Sequence, residues 1–282
     1  MFLLKCFGAL SLASVRRLGA FIGRMLYRFD ARTRRYIDEN LKLAGLYTPT
    51  FAKRVAEETG IQSVEGLWVW QQKPEVIVNA SKITGDVDVL LEHVKSKAPL
   101  ILITPHIGTF EVAPIVASHV IMKNRDKVMA IMYKLPRKKA LRELAGQERA
   151  IEHIAPVTAD LQGLRKMLRL MKDGHWAGIL PDQVPSNGQG VWAPLFGKDA
   201  YTMTLPTHLA HQFQAPIVTA VAKRVEGGWD IHLKAWDYVP TGDTQADARA
   251  LNAQIEAAVA LAPEQYLWAY NRYKCPRGVK RP

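Results

Sequence analysis

Cysteine is nearly absent: two residues in 282, Cys6 and Cys275, at opposite ends of the chain. With no CxxC pair, a Cys-ligated zinc or a dithiol redox centre is excluded. A disulfide framework is unsupported, as fits a reducing compartment. Long hydrophobic runs are lacking too. A transmembrane helix needs about 20 mostly apolar residues, and the apolar stretch near the N-terminus is interrupted by Arg16 and Arg17. No segment after Asp30 is long and apolar enough to span. A cleaved signal peptide fits poorly, because Ala13 is followed closely by the two arginines. Acidic residues are in deficit, 26 Asp+Glu against 38 Lys+Arg, for a formal net charge of +12. Such a balance points to an anionic partner: nucleic acid, anionic membrane, phosphorylated substrate or acidic protein. What remains is ordinary. At 48% hydrophobic and 23% charged, with Gly 19 and Pro 16, disorder, collagen-like repeats and coiled-coil rods are excluded. There is no internal repeat and no low-complexity linker, and the length suits one large or two small domains.

On a helix of about 100° per residue, Lys5, Arg16, Arg17, Arg24 and Arg28 fall within roughly half the circumference. Phe2, Leu10, Phe21 and Met25 lie largely outside that arc. This is the pattern of a basic amphipathic helix lying in an anionic bilayer surface, and Arg32, Arg34 and Arg35 extend the charge. Residues 1–30 are therefore expected to form a membrane-anchoring helix. Residues 31–282 are expected to form an α/β domain with a helical N-terminal part. The alternative is an ordinary N-terminal helix packed on the domain.

From Ala31 to Gln72 the pattern is helical, with a turn at Thr48–Pro49. Beyond it, continuous apolar runs at Leu100–Thr104, Val128–Met132, Trp176–Leu180 and Ile217–Ala222 predict buried strands. Trp229–Tyr238 alternates and predicts a half-exposed antiparallel strand. Helices are predicted at Asp86–Lys95, Phe110–Met122, Lys138–Arg149, Leu161–Lys172, Leu205–Phe213 and Thr244–Leu261. Alternating strands and helices imply an α/β fold, a mixed central sheet flanked by helices.

The stretch LILITPHIGTFEVAPI carries the most chemistry. A buried strand ends at Thr104, Pro105 stops pairing, His106 follows at the turn, and Gly108 permits a tight approach before a helix. Residues at the carboxyl ends of strands in open α/β sheets face the ligand crevice. A turn can fold Glu111 back to accept the Nδ1–H of His106. Nε2 is then left to take a proton from an attacking substrate hydroxyl. A histidine merely satisfied in its turn is the competing account. His208 and His211, spaced i, i+3, raise a metal-dependent hydrolase as another class, although ligation needs a third convergent group and their neighbours look like a core face.

The stretch LPDQVPSNGQGVWAPLFGKDAYTMTLP starts at the end of the Trp176–Leu180 strand, so Asp182 and Gln183 should share the crevice edge with His106. Trp192, Leu195 and Phe196 suggest packing around an apolar ligand. Lys134, Arg137, Lys138, Lys139, Arg142 and Arg149 form either a solvated face or a site for an anionic head group or acidic carrier. A nucleic-acid module would explain the charge, but no recognition helix, aromatic-bearing sheet or finger motif is present.

Taken in order, these residues resemble the bacterial lipid A late acyltransferase (lauroyl/myristoyl acyltransferase) family, within the glycerolipid acyltransferase superfamily. The resemblance rests on an N-terminal membrane segment, the His106-x4-Glu111 pair, GQER ending in Arg149 and PDQ at Asp182–Gln183. It continues through GVWAPLFGKDAYTMT to APEQYLWAYNRYKCP at Ala262–Pro276. It implies transfer of a fatty acyl chain from acyl-acyl carrier protein to a hydroxyl of a lipid A precursor. The reaction would run at the cytoplasmic face of the inner membrane without metal or other cofactor. By the resemblance, His106 is the general base and Glu111 its partner. Arg149, Asp182, Gln183, Gly190, Phe196 and Gly197 are substrate-binding positions. Gln147 replaces the first arginine of the family's Gly-Arg-x-Arg pattern, and Tyr270–Asn271 stands where His–Arg is common, with Arg272 retained. The implied partners are acyl carrier protein, the lipid A precursor or a related glycolipid, and anionic inner-membrane lipid, with no nucleic acid. An acyltransferase acting on a different lipid or glycolipid acceptor is the alternative. Arg149 or backbone N–H groups near Gly108 are the candidates to stabilise the oxyanion.

Overall fold

Capping residues divide the N-terminal third into helices, as described by a computed structural model covering residues 7–122, 126–133 and 152–282. Ser11 caps α1 (Leu12–Phe29), its side chain accepting from the Ser14 N–H. Asp30 ends that helix and starts α2 (Ala31–Leu43), its carboxylate accepting from the Arg32 and Thr33 N–H groups. Thr48 caps α3 (Pro49–Val69), with Pro49 in the first turn, where its missing N–H costs nothing. A short α4 (Pro74–Asn79) leads into the sheet.

Helix α1 lies against α3. Gly19 and Gly23 meet Gly60 and Ala56 so closely that a Cβ at any of the three glycines would collide with the opposing backbone. Arg16 departs from the expected basic arc. It turns inward to a bidentate pair with the fully buried Glu65, at 3.0 and 3.1 Å, and donates to the Gly228 carbonyl at 2.8 Å. Glu65 also accepts from the Trp229 indole at 2.6 Å, so a buried carboxylate is matched by a cation and a further donor. The outward face carries Arg17, Arg24 and Arg28 beside exposed Leu18, Phe21, Leu26 and Phe29. None of the described helices is long and apolar enough to cross a membrane.

Among the described residues, the predicted strands and two edge segments form a seven-stranded sheet, in the order β1-β9-β8-β2-β5-β3-β4. Its strands are β1 (Ser81–Gly85), β2 (Ile101–Ile103), β3 (Met129–Tyr133), β4 (Ile154–Thr158), β5 (Trp176–Ile179), β8 (Ile217–Val225) and β9 (Gly228–Ala235). All neighbours are parallel except β8 and β9, which pair antiparallel. The four continuous runs became β2, β3, β5 and β8, and the alternating segment became β9. Strands β1, with the polar sequence SKITG, and β4, with Pro156 in the middle of IAPVT, lie at the two edges and were not predicted. A separate hairpin joins β6 (Gly190–Leu195) to β7 (Lys198–Met203).

Helices α5 (Val87–Lys95), α7 (Leu161–Lys172), α8 (Leu205–Phe213) and α9 (Thr244–Ala260) stand where amphipathic periodicity predicted them. The segment expected as one helix over Phe110–Met122 is instead a short α6 (Val112–Val116) running into a π-helical turn, Ala117–Met122. The expected helix over Lys138–Arg149 lies outside the described residues. Two apolar clusters cover the faces of the sheet. Ile101, Ile103, Ala177 and Ile179 point to one, and Leu102, Trp176, Val218 and Ala220 to the other.

Candidate active site

Parallel pairing of β2 and β5 sets the site. Ile103 is in register with Ile179, so the third residue beyond each, His106 and Asp182, emerges side by side at the carboxyl edge. The Thr104 N–H still bonds to the Ile179 carbonyl at 3.0 Å, after which Pro105 ends the ladder. Gly108 has φ +61°, and a Cβ there would strike the Ala222 carbonyl, so the turn requires glycine.

His106 and Asp182 are both buried. The His106 Nδ1–H donates to Asp182 Oδ1 at 2.7 Å, and the His106 backbone N–H donates to Oδ2 at 2.9 Å. Burial pushes the Asp182 carboxyl up. Attraction to His106 and these two hydrogen bonds outweigh it and hold the group below the ordinary carboxylate value. With Nδ1 protonated, Nε2 presents its lone pair, which accepts from the Gln183 amide at 3.1 Å. The Phe110 ring packs on the imidazole, centroids 4.5 Å apart. The expectation that Glu111 would hold Nδ1 is thereby corrected. Asp182 occupies that place, because the sheet register delivers it while Glu111 sits at the start of α6. Glu111 instead lines the same cavity as His106.

The turn bearing His106 is braced from behind. Gln62 of α3 donates to the carbonyls of His106 and Gly108, at 3.2 and 2.9 Å. The Leu267 N–H donates to the His106 carbonyl at 3.1 Å, and the Gly108 N–H to the Gln265 carbonyl at 3.0 Å. Gln265 further binds Arg224 through both its amide atoms. Gln62 gave no sequence signal. The tail stretch did, through its motif, but its role as a clamp on the histidine turn required the contact itself. These contacts also revise the oxyanion candidates: the N–H groups of residues 106–109 all have acceptors within the protein.

A cavity of about 990 Å3 opens at His106 and runs over the carboxyl edge of the sheet. Its described lining is mainly apolar, including Leu102, Phe110, Ile115, Ile131 and Leu164, with His106, Glu111 and Gln183 as the polar groups near the dyad. Such a site can deprotonate a hydroxyl at Nε2 while a long apolar group lies in the cavity.

Comparison with known proteins identifies a family. The model of the bacterial lipid A biosynthesis acyltransferase family matches residues 1–275. The chain belongs to that family. Its relatives include the lipid A biosynthesis lauroyltransferase of Escherichia coli (strain K12), 31% identical over 125 residues, 43% of this chain and 41% of that protein. The lipid A biosynthesis palmitoleoyltransferase of the same organism is 30% identical over 115 residues, 39% of this chain and 37% of that protein. A lipid A biosynthesis acyltransferase of Haemophilus influenzae is 24% identical over 244 residues, 77% of this chain and 74% of that protein. The chain thus spans about two fifths of the length of the two Escherichia coli relatives it matches.

Of the family's motif positions, His106, Glu111 and Gln183 line the cavity, and Asp182 is buried against the His106 ring. Gly190, Phe196 and Gly197 are not among the described lining residues. The expected loop is a hairpin. Phe196 (φ +48°) and Gly197 (φ +73°) form its two-residue turn, the paired positive φ angles matching the twist of the strands. Phe196 packs on Trp268, centroids 5.4 Å apart, and its N–H donates to Glu256, while Gly190 pairs with Met203. Trp192 leans on Tyr201 and donates to the Lys280 carbonyl. Arg149 and the basic run from Lys134 lie outside the described residues. His208 lines the cavity, whereas His211 bonds the Pro240 carbonyl, and among the described residues no three His, Cys, Asp or Glu side chains converge as a metal site.

Proposed function

We propose that this acyltransferase moves a fatty acyl chain from acyl-acyl carrier protein to a hydroxyl of a lipid A precursor. The observation that carries the reading is the His106 Nε2 lone pair at the mouth of a deep apolar cavity, its tautomer fixed by Asp182. The acceptor hydroxyl displaces the Gln183 amide from Nε2 and gives up its proton there. The oxygen attacks the thioester carbonyl, the carbon–oxygen bond forms, and a tetrahedral oxyanion results. Its collapse breaks the carbon–sulfur bond, and the imidazolium returns the proton to the leaving thiolate. Thiolate is a good leaving group, so deprotonation of the acceptor is the main demand and no cofactor is required. Glu111, on the same cavity wall, faces the acceptor side, and Arg149 meets the precursor's phosphates or the oxyanion.

The reading places the reaction at the cytoplasmic face of the inner membrane. Supporting this is the outward face of α1, where Arg17, Arg24 and Arg28 stand among exposed Leu18, Phe21 and Phe29. Such a face suits an anionic bilayer surface. Net charge +12 also suits an acidic carrier protein. The test is acyl transfer by the purified chain, from acyl-acyl carrier protein to lipid A precursor, compared with His106→Ala. The variant should still fold, with a lower melting temperature because Asp182 loses its partner, and lose at least ~10²-fold in turnover. A folded His106→Ala protein transferring at the wild-type rate overturns the reading.

A further inference from the structure

We infer that Gly178 sets the length of acyl chain that the cavity accepts, an inference that rests on the acyltransfer reading and deepens it. In the sheet register, Leu102 pairs with Gly178, Gly178 with Ile131, and Ile131 with Pro156. Partners in register point to the same face, so these four residues form one row across β2, β5, β3 and β4, and all four line the cavity. Strands stand about 4.8 Å apart, so the row spans about 14 Å of cavity floor. It begins on the strand that carries His106. Gly178 is the gap in that row, a bare stretch of backbone between two aliphatic side chains.

Glycine weakens a strand interior and marks a point where a ligand or another backbone comes close. No backbone comes close here. Gly178 lacks the positive φ of Gly108, and its nearest neighbours are side-chain atoms, not main chain. A Cβ at Gly178 would lie 3.1 Å from Ile131 Cγ1, 3.3 Å from Met129 Sδ and 3.5 Å from Met129 Cγ, all belonging to cavity-lining residues. Contrast Gly108 and Gly228, where the added atom meets a carbonyl of the opposing chain. Alanine at 178 therefore asks Ile131 and Met129 to give by a few tenths of an ångström, with no main chain in the way. What glycine supplies is depth, because any side chain there rises from the floor into the space an acyl chain would fill.

The experiment compares wild type, Gly178→Ala and Gly178→Leu on a ladder of saturated acyl-acyl carrier protein donors of increasing length, with lipid A precursor as acceptor. Each methylene displaced from apolar contact weakens binding about fourfold. In Gly178→Leu the kcat/KM ratio of the longest to the shorter donors should therefore fall about tenfold or more. Short donors, which do not reach past Gly178, should lose far less than long ones, and Gly178→Ala should shift the ladder in the same direction by less. A second readout needs no turnover: thermal stabilisation by saturated fatty acids should peak at a shorter length in the variants. An unchanged length profile in folded Gly178→Leu, or a loss uniform across all lengths, overturns the inference. Should Gly178→Leu fail to fold, Gly178→Ala decides by the same criteria. If wild type transfers from no donor, the acyltransfer reading is what fails, and the fatty-acid series still tests Gly178 alone.

Discussion

Replacing Asp182 by asparagine tests the dyad with almost no change of shape. Two donors converge on the carboxylate: the His106 backbone N–H on Oδ2 at 2.9 Å and the ring Nδ1–H on Oδ1 at 2.7 Å. An amide has only one oxygen. The backbone N–H cannot become an acceptor, so it claims that oxygen, and the NH2 of the new amide must face Nδ1. The imidazole then switches to the Nε2–H tautomer, and the lone pair that would take the acceptor's proton is gone. Both hydrogen bonds survive, so stability should fall by only about 1–3 kcal/mol. Turnover should fall by ~10²–10⁴-fold, the contribution of a positioned general base. Asp182→Ala, by contrast, strands buried donors and should cost about 3–5 kcal/mol. A pH series adds a check. Because the folded-state carboxyl lies below its ordinary value, the unfolded chain binds more protons in the window between the two. The group's stabilisation is thus complete above the unfolded value and lost as pH falls towards the folded one. The stability gap between wild type and Asp182→Asn should narrow in that acid range. Acyl transfer, imidazole nitrogen NMR and denaturant unfolding read the three effects. A folded Asp182→Asn protein with wild-type turnover, or with Nδ1 still protonated, would refute the tautomer argument.

Three further outcomes follow from the packing. Gly23→Leu should loosen α1 from α3, because even a Cβ collides with the Ala56 carbonyl; a loss of at least about 1–3 kcal/mol is expected in urea unfolding. Gln62→Ala leaves the His106 carbonyl with one donor, that of Leu267, and removes the Gln62 bond to Gly108, so kcat should drop with little change in KM; rescue is not expected from Gln62→Glu, which lacks the N–H donor. Phe21→Asp combined with Arg17→Glu should reduce sedimentation with phosphatidylglycerol vesicles while leaving the melting temperature unchanged, since both residues face outward.

Local signals carried much of this protein. Continuous apolar runs marked β2, β3, β5 and β8, because strands buried on both faces admit few polar residues. One helix start was written in Thr48–Pro49, whereas the caps at Asp160 and Asp243 were identified from the structure. His106 and Asp182 were both legible as crevice residues, since each follows the end of an apolar strand. Edge strands β1 and β4 were not, because a strand paired on one side tolerates the polarity of SKITG and the proline within IAPVT. Nor was the partner of His106. Along the chain the nearer carboxylate is Glu111, but strand order makes β2 and β5 neighbours and brings Asp182 across 76 residues to the imidazole. Tertiary packing likewise brings Gln62 and Gln265 onto the histidine turn and sets the Phe196–Gly197 hairpin turn against Trp268. Periodicity and caps report the energetics of a few neighbouring residues. Which strand lies beside which, and therefore which carboxylate orients the base, is settled only when the whole sheet closes its ladder of hydrogen bonds.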